Sequence, residues 1–347
     1  VDRQTRINYG GVLFDYPLRA ANVLKKLGVM ESMRCGASYI RQQCRPKRLA
    51  RSFEEWTIAR FGERLFRTFF KTYSEKVWGI PCDRLDADFA AQRIRKLSLF
   101  EAVRNSFSRR SSTQHATLID RFAYPLRGTG SVYEMMAERI QAAGGTIHRN
   151  SPVRDVVPLP DGSIELSFDS GKRKNYQHVV SSMPLTHLLR ALPNVPPEVS
   201  AASDALRFRN TILVYLQVES SQLFSDQWLY VHAPELEVGR ITNYRNWVPE
   251  LYGDDPHTIL SLELWCNPGD EKWQQPDEVH IKKAIHDLHA TGLIKQAQIS
   301  ASCVVRVPNC YPIYDLGYKD QTNVVIKHLL KLPQLHIIGR AGAFKYN

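Results

Sequence analysis

The stretch YPLRGTGSVYEMMAERIQAAGGTIHRNSPV, residues 124–153, changes character several times within a short span. It opens on a Gly-rich turn and continues as an amphipathic helix from about Ser131 to Ala143. Gly144-Gly145 then stops the helix, and TIHRN reads as a short strand. Gly-Thr-Gly at the start of a helix is a weak anion-binding signal, because helix N-termini attract anions but glycine turns are common. Beyond it, DVVPL, SIELSF and NYQHVVSS read as three strands around Asp161-Gly162 and Ser170-Gly171 turns, the first two forming an Asp-Gly hairpin.

Downstream, residues 207–305 alternate strand-like runs (TILVYLQVE, QWLYVHA, GRITNY, TILSLELWC, SASCVVRV) with one amphipathic helix near Asp277 to Thr291. This predicts a mostly antiparallel sheet. The tail HLLKLPQLHIIGRAGAFKYN predicts a helix, a buried strand LHIIG and a Gly-rich turn. Upstream, from Asp15 to about Ser108, the pattern is helical: Leu18, Ala21, Val23, Leu24 and Leu27 fall near one face, and Gly28 is a plausible stop. SFEEWTIARFGERLFRTFF opens with Ser52 and Glu55 at capping-box spacing. SRRSSTQHATL (108–118) reads as an exposed loop.

At 347 residues, with 43% apolar and 23% charged residues, the chain is an ordinary globular protein long enough for two domains or one large one. It contains no run of eighteen apolar residues, the length a membrane span needs. The net charge of +11 admits a polyanionic partner. The basic residues are scattered, however, apart from RQQCRPKRLAR (41–51) and Arg109-Arg110, and no nucleic-acid motif accompanies them. An anionic small substrate or a solvated basic surface fits as well. Cys35, Cys44, Cys82, Cys266, Cys303 and Cys310 form no C-x-x-C pair, so neither a zinc site nor a disulfide framework is encoded, and a reducing cytoplasm is the default. VDRQTRINYGG has neither a starting Met nor a signal-peptide core, which gives the expectation of a chain that begins mid-protein.

The stretch FFKTYSEKVWGIPCDRLDADFAAQR (69–93) concentrates chemistry. Trp78, a turn at Gly79 to Pro81 and Arg93 together offer a flat aromatic face and a guanidinium, a pairing that suits a nucleotide carrying phosphate. The alternative from these residues is a buried Trp at a helix end with Arg93 on a solvated face. Trp228, Trp265 and Trp273 read as core or strand-packing residues, and His148 and His178 as structural histidines in strands. Asp83, Asp86 and Asp88 lack calcium-loop spacing, and no serine nucleophile motif is present.

YPLRGTGSVYEMMAERIQAAGGTIHRNSPV followed by VVSSMP resembles the second βαβ-type segment of FAD-binding flavoproteins of the amine oxidase and protoporphyrinogen oxidase type. SFEEWTIARFGERLFRTFFKTYSEKVWGIP resembles, within them, the matching segment of the UDP-galactopyranose mutases, especially their eukaryotic branch. The resemblance covers nearly the whole chain. It implies a FAD-binding, Rossmann-like α/β domain whose first strand, G-x-G-x-x-G turn and adenosine-ribose acid lie ahead of residue 1. The expected division is a helical substrate segment (1–119), two parts of the FAD-binding domain (120–206 and 311–347) and an antiparallel-sheet substrate domain (207–310).

Residue by residue, the resemblance places Trp78 beside the uracil of a UDP-sugar and makes Arg93 and Arg240 the arginines on its diphosphate. Tyr230 matches the Tyr of the W-x-Y-F-P segment. Tyr311 and Tyr346 match tyrosines whose hydroxyls reach the diphosphate, and Gly339-Arg340 matches the pair beside the flavin. Gly128, Gly130 and Val153 are the other cofactor-side positions. Two substrate positions depart from the pattern: Ser74 stands where the family has an Asn, and Trp247 where it has a Tyr. A Trp offers no hydroxyl. The implied activity is interconversion of pyranose and furanose forms of a UDP-sugar on reduced flavin. Two alternatives stay open: an oxidoreductase of the amine oxidase or protoporphyrinogen oxidase type, and a truncated, FAD-free inactive chain.

Overall fold

The computed structural model describes residues 1–16, 18, 20–46, 49–93, 121–294 and 298–346, with the backbone alone at 20, 21, 24 and 91–93. The expected loop 108–118, Arg109-Arg110 and part of the basic run 41–51 lie outside the described residues, as do the side chains of Ala21, Leu24 and Arg93. The chain divides into two compact units, Val1–Val132 with Thr211–Val307, and Tyr133–Asn210 with Pro308–Asn347.

The first unit contains most of a seven-stranded sheet, from which only residues 208–210 of β7 and 308–312 of β11 fall in the second unit: β1 (Thr5–Tyr9), β2 (Val12–Asp15), β7 (Phe208–Val218), β8 (Trp228–Val231), β9 (Arg240–Asn243), β10 (Thr258–Cys266) and β11 (Ile299–Pro312). Strands β3 to β6 belong to the second unit and are described below. The sheet order is β11-β7-β10-β9-β8-β1-β2. β1 and β2 were not expected. They form a hairpin in which Tyr9 pairs Val12 and Gly10 and Gly11, at φ 56° and 76°, make the two-residue turn, a conformation glycine adopts without steric cost. The expected mostly antiparallel sheet is present, with one parallel pairing, β1 on β8.

One face of this sheet is core. Ile212, Val214, Leu216 and Val218 of β7, Val231 of β8, Ile241 of β9 and Leu260, Leu262 and Leu264 of β10 are all fully buried, and they cluster with Ala284 and Leu288 of the helix Asp277–Ala290. Burying each such side chain stabilises by about 1.5–3 kcal/mol. Because side chains alternate across a strand, burying these positions presents their odd-numbered or even-numbered neighbours, Tyr215, Tyr230, Arg240, Ser261 and Glu263 among them, on the opposite face.

Helices Val29–Gln43, Phe53–Phe61 and Thr72–Trp78 belong to the same unit. Ser52 caps the second of these by accepting from the Glu55 N–H at 3.2 Å, while the Glu55 carboxylate accepts from the Arg51 N–H at 2.8 Å, so the capping box is closed one residue earlier than expected. A π-helical turn, Phe66–Lys71, leads into the helix Thr72–Trp78, which ends where Gly79 turns left-handed.

In the second unit β3 (Val153–Pro158), β4 (Ile164–Phe168) and β5 (Arg173–Tyr176) form an antiparallel sheet, and β6 (Val179–Ser181) pairs in parallel with β12 (Leu335–Ile337). Three local expectations change. TIHRN is not a strand: it is exposed, and Asn150 sits at φ 52°. NYQHVVSS divides into the end of β5 and all of β6, so neither His148 nor His178 lies in a strand. LHIIG is buried only in part, since Ile338 is 51% exposed. The helix Gly130–Ala142 forms as expected but buries none of its residues.

Candidate functional site

The strand register builds the centre of the site. Tyr230 of β8 lies opposite Arg240 of β9, and Arg240 lies opposite Glu263 of β10, so three successive strands carry one cross-strand row. Residues directly opposite each other on one face have Cβ atoms about 4.5–5.5 Å apart, close enough for these side chains to act together. Tyr230 meets Tyr16 edge-on at 5.1 Å and Tyr73 at 5.5 Å between ring centroids. Arg240 keeps its side chain 34% exposed, whereas Glu263 is buried.

The Arg240 Nε donates to Glu263 Oε1 at 2.6 Å, and Nη2 also contacts that oxygen. Burial pushes the Glu263 carboxyl pKa upward, and the Arg240 guanidinium opposes the shift. Two residues along β10, Ser261 Oγ shares a hydrogen bond with the Tyr244 hydroxyl at 3.1 Å, and Tyr215 stacks on Tyr244 at 6.3 Å. The Tyr215 phenol is held protonated above its ordinary range by burial and by Tyr244. The face therefore carries a guanidinium and several phenols, groups that recognise phosphate and sugar hydroxyls.

Lys76 and His232 support this row from one end. Lys76 Nζ donates to the carbonyls of Val231, Ala233 and Val238 at 3.1, 2.9 and 3.2 Å, fixing the segment between β8 and β9. Burial lowers its pKa to about 8. His232 stacks on Tyr73 at 4.5 Å and 11°, and burial beside Lys76 lowers its pKa to about 3.

The other expected substrate residues of this unit fall in different surroundings. Ser74 and Trp78 lie one turn apart on the helix Thr72–Trp78, at 8% and 3% exposure, and Trp78 packs edge-on against Phe89 at 4.6 Å. Both indole faces are thus within the protein, as the packing alternative for this Trp required. Trp247 sits in an aromatic cluster with Trp228, Phe122 and Tyr124 at 5.1–5.3 Å, and its indole N–H donates to the Gln227 carbonyl at 3.1 Å. The Tyr-to-Trp departure therefore has a packing rationale. Arg93 ends the helix Ala87–Arg93, and its side chain lies outside the described residues.

In the second unit the structure brings three expected residues together. The Arg340 guanidinium lies 5.2 Å from the Tyr311 ring centre and 5.5 Å from that of Tyr346. The two rings stack at 5.3 Å, and Arg340 Nη2 donates to the Cys310 carbonyl at 3.2 Å. Just before Arg340, the parallel strands β6 and β12 end side by side, with the Ile338 N–H donating to the Ser181 carbonyl at 2.9 Å. Gly339 follows at φ 74°. A Cβ placed on Gly342 would stand 3.2 Å from the Ser181 carbonyl oxygen, so the backbones approach closely there. Val153 opens β3. In the first unit, Gly128 turns at φ 79° and Gly130 begins the following helix.

Sequence reasoning missed Glu263, Tyr244, Lys76 and His232. A signal for the first was present: Ser261 and Glu263 are alternate polar positions within TILSLELWC, whose other residues after Thr258 are apolar, the mark of a strand with one functional face.

No family model matches the chain. Its fold is similar to that of a solved UDP-galactopyranose mutase in its reduced form, with a TM-score of 0.83 and 20% identity over 100% of this chain and 74% of that one. A protein from Exiguobacterium sp. 255-15, provisionally named a protoporphyrinogen oxidase, gives a TM-score of 0.72 at 18% identity, covering 98% and 76% of the two chains. An oxidoreductase from Methanosarcina mazei gives 0.58 at 12%, covering 88% and 69%. The resemblance read from the sequence is thus shown at the level of fold: the chain has the mixed α/β fold of these proteins. Among the described residues no helix is long and apolar enough to cross a membrane.

Proposed function

We propose that the protein is a flavoenzyme that binds a UDP-sugar and interconverts its pyranose and furanose forms. The observation that carries this reading is the cross-strand row: Tyr230 and Arg240 stand opposite each other on one sheet face, with Arg240 anchored by Glu263 yet about one-third exposed. A guanidinium so presented grips a diphosphate by charge-assisted hydrogen bonds, and the phenol beside it packs a base or ribose.

The cofactor assignment is supported by the second unit. Ligands of open α/β sheets bind outside the carboxyl ends of parallel strands, and β6 and β12 end together next to Gly339. The close backbone approach at Gly342 and the Arg340–Tyr311–Tyr346 cluster fit an extended anionic cofactor there. Gly339 and Arg340 would hold FAD on this side, joined by Val153. FAD, when bound and reduced, supplies an electron-rich ring as the reacting centre. The chain's own contribution is to bind and orient. In the first unit, Arg240 holds the leaving diphosphate, Tyr230 places the uridine, and Ser74 and Trp78 support that wall from within the helix; in the second unit, Tyr311 and Tyr346 flank Arg340 on the cofactor side. No general base is assigned.

Replacing Arg240 with Lys tests the substrate half of this reading. Lys cannot reproduce the planar fork, so UDP affinity measured by calorimetry should fall about tenfold or more, about 1.4 kcal/mol, while uridine affinity holds. Unchanged UDP affinity would return Arg240 to a structural ion pair.

A further inference from the structure

We propose that Glu263 is a positioning residue that holds the Arg240 guanidinium in the orientation that receives the diphosphate. The inference rests on the diphosphate reading of Arg240 and adds to it a residue that no sequence resemblance pointed to.

Three observations support it. Arg240 and Glu263 are register partners on adjacent strands, so their relative position is set by the backbone ladder rather than by flexible side chains. Nε and Nη2 of Arg240 both address one oxygen, Glu263 Oε1, which fixes the guanidinium plane. Glu263 Oε2 is buried and, among the described residues, has no hydrogen-bond partner. A buried carboxylate with an unsatisfied oxygen is expensive to maintain, and an aliphatic residue of similar volume at this position would be more stable. The cost is understandable if orienting Arg240 is the residue's task.

A carboxylate beside Arg240 also reduces the positive charge that a diphosphate sees, so a Glu263 whose main effect was neutralisation would weaken UDP binding, and its removal would tighten it. Orientation predicts the opposite, which separates the two effects.

Two variants read the difference. Glu263→Gln keeps a carbonyl oxygen where Oε1 stands and should hold UDP affinity within about threefold of the parent. Glu263→Leu fills the same space without an acceptor and should weaken UDP about tenfold, with uridine affinity unchanged as the check that the sheet face is intact. Adding Arg240→Met to Glu263→Leu should then cost little more than Arg240→Met alone, because both remove one interaction. If Glu263→Leu binds UDP as well as or better than the parent while Arg240→Met binds it poorly, the positioning role is overturned and the diphosphate reading stands. If Arg240→Met also leaves UDP affinity unchanged, both are overturned.

Discussion

Lowering the pH from 6.5 to about 3 should destabilise the sheet unit by on the order of 4 kcal/mol through His232 alone. The ring is buried, stacked on Tyr73 and hydrogen-bonded to the Phe69 carbonyl, and its Nδ1 has no partner among the described residues. A second proton would therefore enter a site with no acceptor, next to the Lys76 ammonium. The sign follows from the shift. Burial holds the folded-state pKa at about 3, below the ordinary value near 6.5, so between these limits the unfolded chain takes up a proton that the folded chain refuses. The stabilisation is complete above pH 6.5 and is lost as pH falls toward 3. His232→Gln, whose side-chain amide can still donate toward Phe69, should flatten this part of the stability profile in urea titrations at successive pH values. A variant profile as steep as the parent's would assign the acid sensitivity elsewhere.

Gly239→Ala should cost about 3 kcal/mol, the upper part of the range for overpacking a filled site. A Cβ at this position would fall 1.8 Å from Cζ3 and 2.6 Å from Cη2 of Trp265, a buried ring that itself meets Tyr73 edge-on. An aromatic ring held on several sides cannot yield by that much without moving its neighbours. The next residue is Arg240, so the displacement should reach the site as well as lowering Tm. Trp265→Leu removes the obstruction, and the double variant should be no less stable than Trp265→Leu alone. Two fully additive losses would show that the ring is not what excludes the methyl group.

How much of this was legible depended on whether the deciding contact was local. The helix around Ser52 and Glu55, the helix stop at Gly79 and the five strands between 208 and 312 rest on caps and on period-two patterning, and all are present. The Thr5–Asp15 hairpin has a local signal too, since Gly10-Gly11 between Ile7 and Phe14 is a two-residue turn. TIHRN carries a β-branched pair, Thr146 and Ile147, but among the described residues no strand pairs with it. The site divides similarly. Resemblance pointed to Tyr230, Arg240 and the Arg340–Tyr311–Tyr346 cluster, but the Tyr230–Arg240–Glu263 row depends on register across three strands, which a linear sequence does not display. Trp78 shows the reverse. A Trp next to Gly and Pro suggests an open stacking face, and tertiary packing against Phe89 buries it.

The central claim, sugar ring interconversion on reduced flavin, separates from the oxidoreductase alternative by electron balance. An isomerisation returns the flavin to its starting redox state each cycle, whereas an oxidase or dehydrogenase passes two electrons onward every time. The direct measurement follows a UDP-hexose and the flavin absorbance together, with the protein chemically reduced under anaerobic conditions. The account predicts that the pyranose and furanose forms interconvert over many turnovers while the spectrum stays that of reduced flavin and no reductant is consumed. It is contradicted if no UDP-sugar isomerises and an amine, porphyrinogen or polyene instead reduces the oxidised flavin stoichiometrically.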